Sequence, residues 1–214
     1  MRRKFVLIAL VLFVLPTISF TAMVSGPFTT TTPVSSSLTD WTSSLSFDKF
    51  DSSLGTLTKV QIDLSGTMST ILTVTNSSPD GSNGTAKTEL QITVQDSGGN
   101  LIVPEIDLFS SLFSYNLGAG QSMTSGTLTK SGSSSDQYTL AAVLSEFTGP
   151  GTIVLPASTF TQTWLTNTGG NTYASQVTYA ELTGTVTYFY DEVPEPATML
   201  LLGLGSLILR KSRK

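Results

Sequence analysis

Asp48 and Asp51 flank Lys49, and Glu105 stands two residues from Asp107. Either pair could set two carboxylates on one strand face for acid/base work or glycoside cleavage, which needs them about 5–10 Å apart. Solvated acids on an acidic surface are the plainer reading, and no catalytic residue is assigned. Asp80-Gly81-Ser82-Asn83-Gly84 and Asp96-Ser97-Gly98-Gly99-Asn100 are oxygen-rich. They make Asp80, Asn83, Asp96 and Asn100 weak calcium candidates, because calcium takes about six to eight oxygen ligands. Neither loop has the EF-hand spacing or its closing Glu, and Asx and Gly turns use the same residues. Trp41, Trp164, Tyr138, Tyr173 and Tyr179 could together form a platform for stacking sugars, although aromatics in a sandwich more often belong to the core or its rim. Thr-x-Thr pairs recur from Thr56/Thr58 to Thr183/Thr185/Thr187. Without a fixed repeat they are ordinary outward strand residues rather than an array that orders water.

Composition removes other chemistry. The chain has no histidine and no cysteine. Serine–histidine and cysteine–histidine catalysis, histidine-based zinc sites and disulfides are therefore excluded. No cofactor is implied, and the expectation is a protein that is not an enzyme. The formal net charge of −4 hides a division. Seven of the eleven basic residues are Arg2, Arg3, Lys4, Arg210, Lys211, Arg213 and Lys214, at the two ends. Between them stand four lysines and all fifteen acidic residues, a net of −11. A body that acidic repels phosphate backbones and is expected to bind no nucleic acid.

The elements that would position these residues are strands. Val60, Ile62 and Leu64 alternate with Lys59, Gln61 and Asp63; Leu90, Ile92 and Val94 alternate with Glu89, Gln91, Thr93 and Gln95. Thr70, Leu72 and Val74 mark a third strand, and Val186, Tyr188 and Tyr190 a last one. This period of two marks half-buried strands. Turn signals fall at Ser78-Pro79-Asp80-Gly81, Asn83-Gly84, Ser97-Gly98-Gly99-Asn100, Ser131-Gly132, Gly149-Pro150-Gly151 and Gly169-Gly170-Asn171. Gly184 suggests a bulge or bend, and residues 106–115 a short helical turn. The expectation is an all-β, antiparallel β-sandwich, jelly-roll or Ig-like, over residues 38–191 with no helices between its strands. Residues 26–37 read as an exposed Thr/Ser/Pro-rich leader.

The ends carry addresses. Met1-Arg2-Arg3-Lys4, an apolar run over residues 5–15 and Pro16 fit a signal peptide over residues 1–25. The secretion translocon is then a partner. After Val193-Pro194-Glu195-Pro196, residues 197–209 are an apolar stretch, expected as a short transmembrane helix, and Arg210, Lys211, Arg213 and Lys214 are its membrane stop. A 13-residue helix is about 20 Å long against a hydrocarbon core of about 30 Å, so it suits a transient anchor. The basic cluster stays cytoplasmic and leaves the body outside. Two prolines keep the preceding segment extended and open to proteolysis.

Residues 192–214 resemble the PEP-CTERM sorting tail of exported bacterial proteins: the Pro-Glu-Pro motif, the apolar helix and the basic cluster follow in order. The resemblance implies processing near Val193–Pro196 by an exosortase-type membrane protease, then release to the cell surface, often in bacteria that make exopolysaccharide. Phe47-Asp48-Lys49-Phe50-Asp51, Leu54-Gly55-Thr56-Leu57-Thr58-Lys59-Val60 and the closing residues 182–190 are similar to choice-of-anchor E domains. Those are bacterial surface domains with alternative C-terminal anchors and no assigned activity. Together these readings give a non-catalytic component of the cell surface or extracellular matrix. The alternatives are a module that binds exopolysaccharide and, more remotely, a secreted hydrolase.

Overall fold

The computed structural model describes residues 29–96 and 105–192. Its strands are β1 (Thr29–Leu38), β2 (Thr42–Asp48), β3 (Gly55–Asn76), β4 (Ser82–Val94), β5 (Ile106–Phe109), β6 (Phe113–Leu117), β7 (Ser122–Thr124), β8 (Leu128–Tyr138), β9 (Thr152–Thr168) and β10 (Thr172–Glu192), with a helix α1 (Ala141–Glu146) between β8 and β9. Sheet I runs β1-β10-β3, with β7 and β8 both on the far side of β3. Sheet II runs β2-β9-β4, with β5 and β6 both on the far side of β4. Every strand pairing is antiparallel. With β5/β6 and β7/β8 each counted as one broken strand, every strand of sheet I has its chain neighbour in sheet II. That is the wiring of an eight-strand jelly roll.

Alternation drives the fold. Along β3, apart from one shift at Thr58/Lys59, and along β10 from Thr178 to Tyr188, every second side chain is buried. Val60, Ile62, Leu64, Leu90, Ile92, Leu155, Leu182 and Tyr188 meet in one large core cluster, and Leu72, Val74, Tyr115 and Leu117 in a second. Each such side chain contributes about 1.5–3 kcal/mol on leaving water. Between the clusters lie three buried threonines. Thr70 Oγ1 bonds both Thr88 Oγ1 at 3.1 Å and Thr178 Oγ1 at 2.7 Å. These hydroxyls are satisfied by one another, which is the condition for burying them.

The break in each outer strand is held the same way. Ser125 Oγ accepts from the Leu72 amide at 2.9 Å, and Ser110 Oγ accepts from the Thr88 amide at 2.9 Å. At one end of the sandwich, Phe50 packs against Tyr188 and Tyr190 at centroid distances of 5.9 and 4.8 Å. The Tyr188 hydroxyl donates to the Asp48 carbonyl at 2.7 Å. Phe47 and Phe50 are buried, as expected of core anchors.

Several local expectations are corrected. From Thr29 to Leu38 the expected leader is an edge strand, registered on β10. The third strand is not separate from the first: residues 60–64 and 70–74 belong to one 22-residue strand. Residues 106–115 form two short strands rather than a helical turn. The helix is α1, where Val143 is buried, with Phe147 buried just after its end. Asn83-Gly84 lies inside β4 and Ser131-Gly132 inside β8, not at turns. Gly184 is regularly paired, and the bulge of β10 falls at Phe189/Tyr190. A Cβ at residue 184 would stand 2.7 Å from Leu45 Cδ1, so glycine there admits the opposite sheet. Gly169-Gly170 does turn: both have positive φ, 74° and 60°, and they arch the chain from sheet II to sheet I.

Candidate functional site

The proposed sorting residues Val193, Pro194, Glu195 and Pro196 and the membrane stop Arg210, Lys211, Arg213 and Lys214 lie outside the described residues, as do residues 1–25 and the expected helix 197–209. Among the described residues no helix is long and apolar enough to cross a membrane.

The carboxylate pairs fall in two places. Asp48 and Asp51 line a shallow hollow with Lys49, Ser52 and the Gly149-Pro150-Gly151 turn. Asp51 Oδ1 accepts the Ser53 amide at 2.8 Å, which, with the Ser53 side chain, holds the Asp51 carboxyl below its usual range. A carboxylate so held is a poor proton donor at neutral pH. Glu105 and Asp107 are exposed at β5, and Glu105 Oε2 accepts from Gln91 Nε2 at 2.9 Å.

The calcium candidates are not brought together. Asp80 and Asn83 stand at the start of β4 and Asp96 beyond its end, with the 13-residue strand between them. Asn100 lies outside the described residues. The Asp80 carbonyl is occupied by Asn76 Nδ2 at 2.7 Å, a loop clamp rather than a ligand position. Among the described residues no group of three or more acidic side chains could hold a metal ion.

The expected aromatic platform is also divided. Tyr138 is buried, and burial followed by the nearby Asp136 charge pushes its hydroxyl pKa up to about 12. Trp41 is half-buried against the main core. Tyr173 and Tyr179 are exposed on the outer face of sheet I, and Trp164 on that of sheet II. Two residues not singled out in the sequence stand with Trp164 instead: Phe160 and Phe109.

Sheet register explains why. On β9, Phe160, Gln162 and Trp164 point outward; on β4, the residues opposite them are Gln91, Glu89 and Lys87; on β5, Phe109 is opposite Glu89. Inward neighbours such as Leu90 and Leu108 hold this register in the core. The three rings remain 57% (Phe160), 51% (Trp164) and 42% (Phe109) exposed.

Polar neighbours hold two of them, Trp164 and Phe109. Glu89 Oε2 accepts from Trp164 Nε1 and from Gln162 Nε2, both at 2.6 Å. Charge-assisted bonds of this kind are short and strong. The Lys87 ammonium lies 4.5 Å from the Phe109 ring centroid and 5.7 Å from that of Trp164. Such contacts stabilise by about 0.5–1 kcal/mol at exposed sites. The signal in the sequence was Phe160-Thr-Gln-Thr-Trp164, read as a threonine pair. Its exposed members are the residues between and around the threonines.

The outer face of sheet I is different. Thr67 meets Ser131 at 3.0 Å, Thr73 meets Thr124 at 3.0 Å, and Thr75 meets Ser122 at 2.8 Å. Asp63, Gln61 and Glu181 interrupt these hydroxyls, so the face is no uniform threonine array. A shallow depression there is lined by Asp63, Ser133, Ser135 and Thr185 among others.

Residues 192–214 match the PEP-CTERM protein-sorting motif. No curated protein matches the chain. Among solved structures, one described as "Structure of infectious bursal disease virus Gt strain" aligns at 11% identity over 87% of this chain, with a TM-score of 0.13. The chain spans 50% of that one, and so slight a likeness carries no argument.

Proposed function

We propose that this chain is an exported protein of the cell surface or extracellular matrix, sorted and cut at its C-terminus by an exosortase-type protease. The observation that carries the reading is the sorting-motif match over residues 192–214. In this reading the signal peptide engages the secretion translocon. Residues 197–209 then hold the body transiently at the inner membrane, with Arg210, Lys211, Arg213 and Lys214 on the cytoplasmic side. The protease acts near Val193–Pro196. That segment directly follows β10, whose last residue is Glu192, so a cut there would leave the sandwich intact.

The role we propose for the body is interaction without catalysis, as the resemblance to choice-of-anchor E domains also suggests. Among the described residues its broad surfaces are the two outer sheet faces. The second reading, a module that binds carbohydrate, is favoured by the exposed Trp164, Phe160 and Phe109 rings on sheet II. For the hydrolase reading, the Asp51 carboxyl in the Asp48/Asp51 hollow, held below its usual range, suits a base or nucleophile and not the general acid.

The sorting step is tested by expressing the full gene in hosts with and without an exosortase-type protease and measuring intact masses in membrane and medium. The expected result is protease-dependent loss of the tail, with product in the medium or on the surface. Persistence of the tail in all mature protein would contradict it.

A further inference from the structure

We infer that the outer face of sheet II binds a neutral glycan chain, laid along β9 across Phe160 and Trp164. This rests on the carbohydrate-binding reading and gives it a site and a ligand class.

The geometry has three parts. Phe160 and Trp164 are four residues apart on one strand, so their rings are offset by about 13 Å along it. That is longer than one sugar ring, so the face suits a chain rather than a monosaccharide. Phe109 supplies a third ring, two strands away. Between the rings lie Gln162, Glu89 and Lys87, which offer amide, carboxylate and ammonium groups in the same plane. A pyranose ring is amphipathic in the matching way: its C–H faces stack on aromatic rings, and the hydroxyls at its edge exchange hydrogen bonds with the polar groups beside them.

The site is also pre-organised. An exposed tryptophan ordinarily loses rotamer freedom on binding, a cost of about 0.5–1.5 kcal/mol. Here Glu89 already holds the Trp164 indole nitrogen at 2.6 Å, and Lys87 already lies between two rings.

Two other occupants fit less well. An extended peptide adding to a sheet needs a free strand edge, and β9 and β4 at this face are paired to each other. A polyanion would meet Glu89, Glu105 and Asp107 within a body whose net charge between its basic ends is −11, against the single cation Lys87 at the patch.

The test is native affinity electrophoresis of the full chain in mild non-ionic detergent. Gels contain hydroxyethylcellulose, mixed-linkage β-glucan or mannan as neutral probes, and alginate as the anionic one. Variants are Trp164→Ala, Phe160→Ala and, on the other face, Tyr173→Ala/Tyr179→Ala. Thermal unfolding confirms that each variant is folded. The expected result is retardation by at least one neutral glycan and none by alginate. Trp164→Ala and Phe160→Ala should each weaken it roughly tenfold or more, the scale of a lost aromatic anchor, while the sheet I variant leaves it unchanged.

Retardation that survives both sheet II substitutions and disappears in the sheet I variant overturns this site and leaves the carbohydrate-binding reading standing. Retardation by none of the glycans overturns that reading as well, without touching the sorting step. Stronger retardation by alginate overturns the ligand class. Capture by zwitterionic lipid vesicles that depends on Trp164, without glycan retardation, assigns the face to membrane instead and also overturns the inference.

Discussion

The two outer faces of this sandwich rest on similar backbones and both pair hydroxyls across strands, Thr73 with Thr124 on sheet I and Thr85 with Thr166 on sheet II, but they differ in how their charged groups meet exposed rings. On sheet I, hydroxyl and amide groups turn to one another across the strands, as Thr73 does to Thr124 and Gln137 to Gln61 at 2.9 Å. On sheet II, Glu89 and Lys87 turn to aromatic rings and leave those rings half in water. A face whose polar groups hold apolar rings exposed presents both kinds of contact together. The lesson is that residue type alone does not make a site; cross-strand partners decide which groups are spent and which remain available.

The contrast can be broken from beneath. Leu90 is fully buried behind Glu89 and Gln91, so Leu90→Ala should cost about 2–5 kcal/mol in chemical unfolding. If both faces share one core, signals from Trp164 and from the sheet I tyrosines will be lost in one transition. Separate transitions would show that the sheets are independent units.

A smaller effect sharpens the comparison. Trp164→Ala should weaken glycan retention roughly tenfold, about 1.4 kcal/mol of binding. Its unfolding free energy should fall by about 1 kcal/mol, the scale of the exposed bond to Glu89 and the contact with Lys87 that the substitution removes. A large loss of stability with unchanged retention would make Trp164 a structural residue.

Next in size is the closed end of the sandwich, where Tyr188→Phe removes the bond to the Asp48 carbonyl at a cost of about 1 kcal/mol. The same tyrosines set an alkaline limit. Burial, then the charge of Asp48, pushes the Tyr188 hydroxyl pKa far up, and burial, then Asp136, brings that of Tyr138 to about 12. In the unfolded chain both ionise near pH 10. Above that pH the unfolded state has lost protons that the folded state keeps, so stability falls as pH rises. With no histidine in the chain, the midpoint should stay nearly level from about pH 6 to 8, drop above about pH 10, and drop less steeply in Tyr138→Phe.

The smallest effect belongs to sheet I. Thr73→Val/Thr124→Val removes one exposed hydroxyl pair and should shift stability by about 0.5 kcal/mol or less, with glycan retention unchanged. A loss of retention there would move the working face to sheet I.

Much of the fold was readable in the sequence, and the reasons it was incomplete are local. Alternation at residues 60–64, 90–94 and 186–190 reports burial directly, since the side-chain period of a strand is two. The full length of β3 was hidden by Gly66, which interrupts the hydrophobic pattern. A Cβ there would meet Ile92 Cδ1 at 2.5 Å, so this glycine serves packing between sheets rather than a turn. Gly132 does the same against Leu108 on the opposite sheet, and sequence alone does not separate such positions from turns. The site was half legible. Trp164 was named, but Phe160 and Phe109 join it only through the register of β9 on β4 and of β4 on β5, a long-range fact. The sorting motif was legible because it is local: four residues, an apolar run and a basic end in order.

The most direct measurement uses Trp41→Phe, which leaves Trp164 as the only tryptophan of the original two. Among the described residues the buried Trp41 indole nitrogen has no hydrogen-bond partner, so phenylalanine orphans nothing there. Titration with soluble mixed-linkage β-glucan, hydroxyethylcellulose and mannan should give, for at least one of them, a saturable blue shift of Trp164 emission as a sugar ring displaces water from the indole. Retention of a neutral glycan with Trp164 emission unchanged would contradict the assignment of sheet II as the binding face.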